Sequence, residues 1–307
     1  MDPSILLKNG IAVFPDFIDI DLGMKPYFDG LLTLQAPLAS EYTFTNIFIW
    51  RHLYRFRACS LDGALCIKGV DRSGVEFLMI VAKDTGAYVD TVQRISDRYR
   101  RESGTVRLFR VEERFVEPLK RTFPAMTTED DRDNSDYVYL SSDLIDLKGR
   151  KYDGKRNHIK RFRERYTYDY APITDALRDE CVELTEVWHK TKGSDGIEAD
   201  ITATREAITN FGPLGLTGGV IRIDGKVRAF SIAERLNAET AVIHIEKYDP
   251  SYEGLAQVMN QQLCSQACSA FKYINREQDM GIQGLRRSKL SYNPAFLLNK
   301  YKIIIGP

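Results

Sequence analysis

Two Asp-Gly dipeptides at comparable places in the two halves constrain this sequence more than any other feature. Asp62-Gly63 separates the alternating runs RFRACS and LCIKGV, and Asp224-Gly225 separates GGVIRI from KVRAFSIAERL. An Asp-Gly pair between two alternating runs is typical of a tight β-hairpin. We therefore expect one central hairpin in each half of the chain.

The order of the other predicted elements repeats as well. The first half reads β-β-β-α-β-α-β and ends with a strand over DYVYLSSDLIDL, and the second half reads α-α-β-β-β-α-β-α-β and ends with NKYKIII. A chain of 307 residues has the length of two domains. We expect an α/β (α+β) fold of two tandem domains, residues 1–147 and 148–307, each around a mixed sheet.

Charge and cysteine content exclude some classes of function. The 43 Lys and Arg residues balance 43 Asp and Glu residues, so no whole-molecule field attracts nucleic acid or anionic lipid. The chain has five cysteines and no paired C-x-x-C spacing. Cys264 and Cys268 lie four apart, but no His or second cysteine pair accompanies them at zinc-ligand spacing. We expect no metal site and a reducing compartment.

The N-terminus and the hydropathy bear on localisation. Asp2 and Pro3 do not belong to a basic-then-apolar signal pattern. No apolar run approaches the roughly 20 residues of a membrane span. We expect a cytoplasmic protein, or one peripheral to a membrane.

The run TAVIHIEKY contains the first candidate catalytic residues. A period of two places Val242, His244, Glu246 and Tyr248 on one face of a strand. His244 and Glu246 can share acid-base work, because histidine titrates near neutrality and a carboxylate can orient it. The alternative is a polar strand face that is solvated or covered by a loop.

The run FKYINREQDMG is predicted as a strand with an unusually polar end. The period of two places Tyr273, Asn275, Glu277 and Asp279 on one face, and Arg276 on the other. Buried charges must be paired, so this segment does not read as plain core. Asn275 and Glu277 are candidates for an active-site wall; a structural salt-bridge network between domains fits equally.

A turn and a helix follow the TAVIHIEKY strand, and they offer a candidate donor site. Tyr252, Gly254, Leu255 and Ala256 lie where the turn becomes helix. A glycine there lets a phosphate or carboxylate approach the free backbone N–H groups of the helix. A plain turn capped by Ser251 is the alternative.

Two basic segments could contact anions. Arg286 and Lys289, close to Tyr292, can hold a phosphate or carboxylate, although a solvated helix face also explains them. The segment from residue 148 to 165 is the best local candidate for RNA or anionic headgroup contact, and a charged linking helix is its alternative. Its candidate contact residues are Arg150, Lys151, Lys155, Arg156 and Lys160.

Several stretches together resemble the C-terminal domain of phosphatidylglycerol lysyltransferases, a bacterial family. They are FTNIFIWRHLY, LKGRKYDGKRNHIKRF, AFSIAERL, HIEKYDPSYEGLAQVMNQ and YINREQDMGIQGLRRSKLSYNP, and they span most of the chain. The resemblance implies a tandem acetyltransferase-like (GNAT-like) fold, similar also to Fem-type transferases that move amino acids from aminoacyl-tRNA onto cell-wall precursors.

The resemblance also implies an activity. It suggests an acyltransferase or aminoacyltransferase whose donor is aminoacyl-tRNA or an acyl-CoA, and whose acceptor is the amine or hydroxyl of a small molecule or lipid headgroup. His244 and Glu246 would transfer protons, and Arg286 or Lys289 would hold the donor. A common acetyltransferase signature for acetyl-CoA is incomplete, because Ser251 stands where that signature has Arg or Gln before Gly254-Leu255-Ala256.

A different class of function fits the same fold. The chain can be a non-catalytic protein that binds a small ligand or RNA in its cleft, because fold alone does not specify chemistry. Turnover separates the two hypotheses.

Overall fold

The computed structural model of the chain describes residues 10–192 and 197–307. They form two compact units, one that runs up to Ser135 and includes Leu298–Pro307, and one of Asp136–Leu297. Each unit contains one mixed sheet of seven strands. Asp2 and Pro3, on which the expectation about a leader rested, lie outside the described residues.

The elements are numbered here in chain order. The strands are β1 Ile18–Asp19, β2 Arg57–Leu61, β3 Ala64–Val70, β4 Glu76–Val81, β5 Val106–Glu112, β6 Thr127–Asp130, β7 Asp136–Leu140, β8 Tyr168–Pro172, β9 Thr217–Ile223, β10 Lys226–Arg235, β11 Thr240–Tyr248, β12 Tyr273–Asn275, β13 Phe296–Leu298 and β14 Lys300–Ile305. The helices are α1 Lys25–Gln35, α2 Phe44–Ile49, α3 Arg51–Tyr54, α4 Thr85–Arg101, α5 Glu113–Thr122, α6 Ser141–Asp146, α7 Asp153–Arg165, α8 Arg178–Lys192, α9 Ile197–Thr209, α10 Phe211–Leu214, α11 Leu255–Ala267 and α12 Gln283–Leu290.

The first sheet has the strand order β1-β2-β3-β4-β5-β14-β6. Strands β2 to β4 form an antiparallel meander, and β5 is parallel to β4. Helices α4 and α5 pack together on this sheet, where the rings of Tyr88 and Phe115 stack with centroids 4.0 Å apart. The amphipathic spacing of Val92 and Ile95 explains α4, because both side chains are buried in that core.

The second sheet has the order β13-β7-β12-β11-β10-β9-β8. Helix α11 packs on one face of this sheet together with α6 and α7. The opposite face carries α8, because Lys247 of β11 lies 4.2 Å from the ring of Trp188 while the adjacent Glu246 contacts Asn260 of α11. The candidate residues of β11 and β12 therefore lie in the middle of a covered sheet.

Both predicted hairpins are present. Asp62 and Gly63 have φ angles of 50° and 86°, and Asp224 and Gly225 have φ angles of 53° and 75°. Two positive φ angles are what a two-residue hairpin loop requires, and Asp-Gly adopts them with little strain.

The two halves of the chain exchange one strand each. Strand β14, at the C-terminus, lies between β5 and β6 in the first sheet. Strand β7, which follows the first unit in sequence, lies in the second sheet and pairs with β12. The units therefore divide at Ser135, ahead of the junction that we expected at residues 147–148. The final strand, β14, was predicted in the second half but belongs to the sheet of the first unit.

Some local predictions fail for identifiable reasons. The predicted strand DYVYLSSDLIDL ends at Leu140, and α6 follows from Ser141. The predicted strand FKYINRE is reduced to Tyr273–Asn275. Strand β6 was not predicted, because its residues TTED are all exposed and do not alternate between apolar and polar. Helices α1 to α3, which precede the first hairpin, were not predicted either.

The exchanged strand makes a prediction about folding. A fragment that ends at Ser135 lacks β14, so β5 and β6 each lose a backbone-paired neighbour inside the sheet. We expect this fragment to lack cooperative urea unfolding monitored by circular dichroism. The same fragment joined by a flexible linker to residues 298–307 should recover a cooperative transition. Equal cooperativity of the two fragments would show that β14 is dispensable.

Candidate functional site

The candidate catalytic residues lie around a point at which β11 and β12 separate. The two strands pair in parallel only where Thr240–Val242 lie beside Tyr273–Asn275. Strand β11 continues to Tyr248, whereas the chain after Asn275 stays beside β7, with Arg276 N donating to Tyr137 O at 2.9 Å. Side chains, and not backbone hydrogen bonds, connect the two segments beyond this point.

The first of these side-chain connections is made by His244, which lies between two carboxylates. Its Nδ1 is 2.7 Å from Glu277 Oε1, and its Nε2 is 2.7 Å from Glu234 Oε1. Burial alone would lower the pKa of His244, but hydrogen bonds and charge attraction from Glu234 and Glu277 raise it to about 10. The ring is therefore an imidazolium at neutral pH, and both of its N–H groups donate to carboxylates. In this state it has no lone pair with which to accept a proton.

A β-bulge in β11 explains where His244 points. Ile232 and Ala233 are consecutive in β10, but their partners in β11 are Ile245 and Ile243. His244 is thus an extra residue of β11 that has no paired residue in β10. A bulge of this kind changes the direction of the side chains that follow.

The bulge reverses the alternation that the sequence predicted. Ala241 and Tyr248 both pack against the core below α11, although a period of two places them on opposite faces. Glu246 also faces α11, where Asn260 Nδ2 donates to its Oε1 at 3.2 Å. The expectation that residues 242, 244, 246 and 248 share one face is therefore wrong, and His244 has Glu277 and Glu234 as partners in place of Glu246.

Glu246 makes the second connection, an ion pair with Arg276. The Nε and Nη2 atoms of Arg276 donate to Glu246 Oε2 at 3.1 and 2.6 Å. The guanidinium lies 5.8 Å from the ring of Tyr139 and 4.9 Å from the ring of Tyr292. Burial lowers the pKa of Arg276, but the Glu246 carboxylate outweighs it and keeps that pKa above its usual range. The remaining nitrogen, Nη1, is buried and has no hydrogen-bond partner among the described residues.

Lys289 holds the loop that follows β12 through hydrogen bonds to its backbone carbonyl groups. Its Nζ donates to the carbonyl oxygens of Arg276, Glu277 and Gln278 at 2.5, 3.0 and 2.6 Å. Glu277 has a φ of 56°, a strained value for a residue other than glycine, and Lys289 and His244 both hold it there. Burial lowers the pKa of Lys289 to about 8. We expected Lys289 to hold the donor, but its three N–H donors are already used.

Asn275 and Arg286 are also engaged within the unit. Asn275 Oδ1 accepts from Glu277 N at 2.8 Å, and its Nδ2 donates to Asp136 at 2.9 Å. Arg286 binds both oxygens of Asp279, with its Nε at 2.9 Å and Nη2 at 2.8 Å. Burial alone would raise the pKa of Asp279, but bonds from Arg286 and Tyr137 hold it well below its usual range. Asn275 thus positions Glu277, and Arg286 positions the loop.

Gly254 lies against α7. Its φ is 90°, and a Cβ atom on it would be 2.6 Å from the carbonyl oxygen of His158 and 3.0 Å from Phe162 Cβ. Leu255 is fully buried and Ala256 is half-buried. The missing Cβ of Gly254 therefore makes room for the backbone of α7, and the donor role of this turn stays a prediction.

The aromatic residues predicted for the donor site have different environments. The ring of Tyr252 packs against Tyr166, with centroids 5.0 Å apart, and Arg228 lies 5.4 Å from it. Tyr292 is 4% exposed and lies under Lys155, whose Nζ is 3.9 Å from the ring centre. Tyr292 therefore belongs to the cluster around Arg276, and Tyr252 does not.

The predicted anion-contact residues separate into two groups. Lys155 is half-buried beside Tyr292 and donates to Ser291 Oγ at 2.6 Å. The other four residues, Arg150, Lys151, Arg156 and Lys160, are exposed. Lys151 pairs with Asp143, Arg156 with Asp153 and backbone carbonyls, and Lys160 with Glu164 at 3.8 Å. Arg156 and Lys160 line a surface groove of about 370 Å³ between α7 and α11.

Metal sites and membrane spans are two further classes of feature that the sequence did not predict. Within residues 10–192 and 197–307, no group of three or more His, Cys, Asp or Glu side chains is arranged to hold a metal ion. Over the same described ranges, no helix is both long and apolar enough to cross a bilayer.

Comparison with known proteins identifies the family. The family described as phosphatidylglycerol lysyltransferase, C-terminal, matches residues 33–304. The chain belongs to this family. A conserved protein of unknown function from Bacteroides thetaiotaomicron is 32% identical, with 94% of this chain and 99% of that chain covered and a TM-score of 0.87.

More distant relatives of this lysyltransferase-family chain share its fold. The structure of L-PGS from Bacillus licheniformis is 14% identical over 91% of each chain, with a TM-score of 0.65. FemX is 7% identical, with 94% of this chain and 96% of that chain covered and a TM-score of 0.59. The expected mixed α/β fold of GNAT-like and Fem-type proteins is thus confirmed. An uncharacterised protein of Mycoplasmoides gallisepticum is 25% identical, and the chain spans 56% of its length.

Sequence reasoning missed two residues of the site. Glu234 lies opposite Val242 in the β10–β11 register, so a correct hairpin register would have brought it near His244. Arg276 was assigned to the face of its predicted strand opposite Asn275 and Glu277. Its partner Glu246 lies thirty residues away in the sequence, and no local pattern connects the two.

Gly254 offers a test of the contact between α7 and the start of α11. In Gly254→Ala, a Cβ at positive φ meets the His158 carbonyl, and we expect the free energy of unfolding to fall by about 3 kcal/mol or more. Gly225→Ala is the matched control, because Gly225 has a φ of 75° and no atom within 4 Å of the added Cβ. Gly225→Ala should lower the free energy of unfolding, measured by urea denaturation, by only about 1 kcal/mol. Equal losses would mean that α7 does not press on Gly254.

The charge state of His244 can be measured directly. The chain has four histidines, so ¹⁵N-histidine NMR with His244→Gln as the assignment control resolves its ring. We expect the His244 imidazolium to persist at pH 8, because its pKa is raised from 6.5 to about 10. The stability that it adds is then complete below pH 6.5 and is lost as the pH rises toward 10. A neutral ring at pH 8 would contradict this assignment.

Proposed function

We propose that the protein is an aminoacyltransferase that moves an aminoacyl group from aminoacyl-tRNA to an amine or hydroxyl acceptor. Membership of the lysyltransferase C-terminal family supports this class of reaction. The observation that separates the donors is the contact of His158 and Phe162 with Gly254. An acyl-CoA pyrophosphate would need the N-terminal end of α11, where α7 packs against the residue that precedes the helix, whereas an aminoacyl ester does not require that position.

The proposed reaction is a direct attack of the acceptor on the ester carbon of the donor, without a covalent enzyme intermediate. The gap between β11 and β12 is its proposed centre, and positioning of the two substrates supplies most of the rate. His244, as an imidazolium held by Glu234 and Glu277, would fix the geometry of this gap. The proposed proton acceptor for the attacking group is a carboxylate, either Glu246 or Glu277.

The proposed acceptor is a small molecule or a lipid headgroup. Because aminoacyl-tRNA is a cytoplasmic donor, the proposed activity requires a protein that has access to the cytoplasm, free or at a membrane surface. Arg150, Lys151, Arg156 and Lys160 are proposed to contact the RNA or another anion, since their side chains are exposed on and around α7.

A non-catalytic binding protein is the competing proposal. The observation that favours it is the engagement of His244, Lys289 and Arg286 in contacts within the unit. Such contacts also serve purely structural roles. A protein of this kind would bind the donor without turnover.

The function is tested first by thermal unfolding with candidate donors. We expect aminoacyl-tRNA to raise the melting temperature more than deacylated tRNA, and acetyl-CoA to leave it unchanged, because only ligands that bind the native state stabilise it. Release of amino acid from charged tRNA onto added amine acceptors is then followed by mass spectrometry. Stabilisation by acetyl-CoA would contradict the proposed donor, and stabilisation by charged tRNA without transfer to any acceptor would favour the binding protein.

A further inference from the structure

Lys155 is a cation without a counter-ion. Its ammonium is half-buried, donates to the neutral hydroxyl of Ser291, and lies 3.9 Å from the centre of the Tyr292 ring. Among the described residues, no carboxylate forms an ion pair with it. Burial, and then the charge of Arg276, lower the pKa of Lys155 to about 8. The fold thus holds a positive charge in a place where it is unfavourable.

Arg276 leaves one strong donor unused next to the same ring. Glu246 binds its Nε and Nη2 atoms, while Nη1 is buried and without a partner. The Arg276 side chain is only 11% exposed. A buried N–H group that makes no hydrogen bond costs stability, and in native proteins it calls for a specific explanation.

These two features have one explanation in common. Lys155 and Arg276 both contact Tyr292, and Glu246 neutralises only one of the two positive charges. We propose that Lys155 and the Nη1 group of Arg276 form an anion-binding subsite at the Tyr292 ring, which takes one oxygen-rich monoanion, a phosphodiester group of a substrate. The ligand would supply both the missing charge and the missing acceptor.

Charge and access favour a phosphodiester over other anions. A phosphodiester carries one negative charge, equal to the unbalanced charge, and offers two free oxygens, one to a lysine ammonium and one to a guanidinium. Lys155 is half-buried and Ser291 is exposed, so the ammonium side of the subsite borders solvent. The inference deepens the proposed function and rests on it for the source of the phosphodiester, which is either the RNA donor or a phosphate-containing headgroup of the acceptor.

The test uses the full chain and non-reactive probes at pH 7. The probes are sn-glycero-3-phosphoglycerol, for a headgroup, and the dinucleotide CpA, for RNA. We expect one of them to raise the melting temperature of the unaltered chain. Lys155→Met should melt at a higher temperature than the unaltered chain without probe, because it removes an uncompensated cation, and should bind the probe about 10- to 100-fold more weakly. Arg276→Lys retains a charge beside Glu246 and should also bind the probe more weakly.

Lys272→Met is the matched control. Lys272 is exposed and lies 4.9 Å from the ring of Tyr273, so the substitution removes the same kind of contact and the same charge outside the subsite. It should leave probe affinity unchanged. Whichever probe binds identifies the source of the phosphodiester. No response to either probe, or equal affinity in Lys155→Met, would overturn the subsite. Neither probe reacts, so failure of aminoacyl transfer would leave this result intact, and an active enzyme with no probe response would refute the subsite alone.

Discussion

The protonated ring of His244 holds together a part of the second unit that has no continuous backbone pairing. Strands β11 and β12 separate after three paired positions, and Glu277 and Glu234 approach His244 from the two sides of β11. Two carboxylates this close to each other would repel, so the imidazolium between them is what allows the arrangement. Asn275 and Lys289 then hold Glu277 in its left-handed conformation. The strain at Glu277, the bulge at His244 and the separation of the strands are parts of one structure.

The sequence separation between interacting residues decides how much of this structure could be predicted. Hairpins were predicted correctly, because an Asp-Gly loop and its flanking alternation are local in sequence. The exchange of β7 and β14 was not, because a strand of five or six residues carries no information about which sheet it joins. Likewise, His244 and Glu277 were recognised as polar residues on strands, but a bulge of one residue changed which carboxylates face the histidine.

Gly254 is another residue whose role depends on a neighbour that is distant in sequence. Sequence reasoning treated this glycine as room for a ligand, whereas the structure uses it as room for the backbone of α7. Both uses need a missing Cβ, and only the neighbour in space decides between them. The basic character of α7 has a related explanation, since Arg165 and the half-exposed His158 pair with Glu253, the residue before Gly254. Part of the charge that suggested RNA contact therefore fastens α7 to the start of α11.

Against this background of paired charges, the environment of Lys155 is unusual. Arg286, Lys289 and His244 each have partners that account for their burial. Selection for stability alone would replace Lys155 by an apolar residue, because its ammonium is partly desolvated and repelled by Arg276. Residues that lower stability persist where function needs them, and departures from otherwise consistent pairing are expected at binding sites. Lys155 therefore marks the place where a substrate supplies the counter-ion that the chain does not.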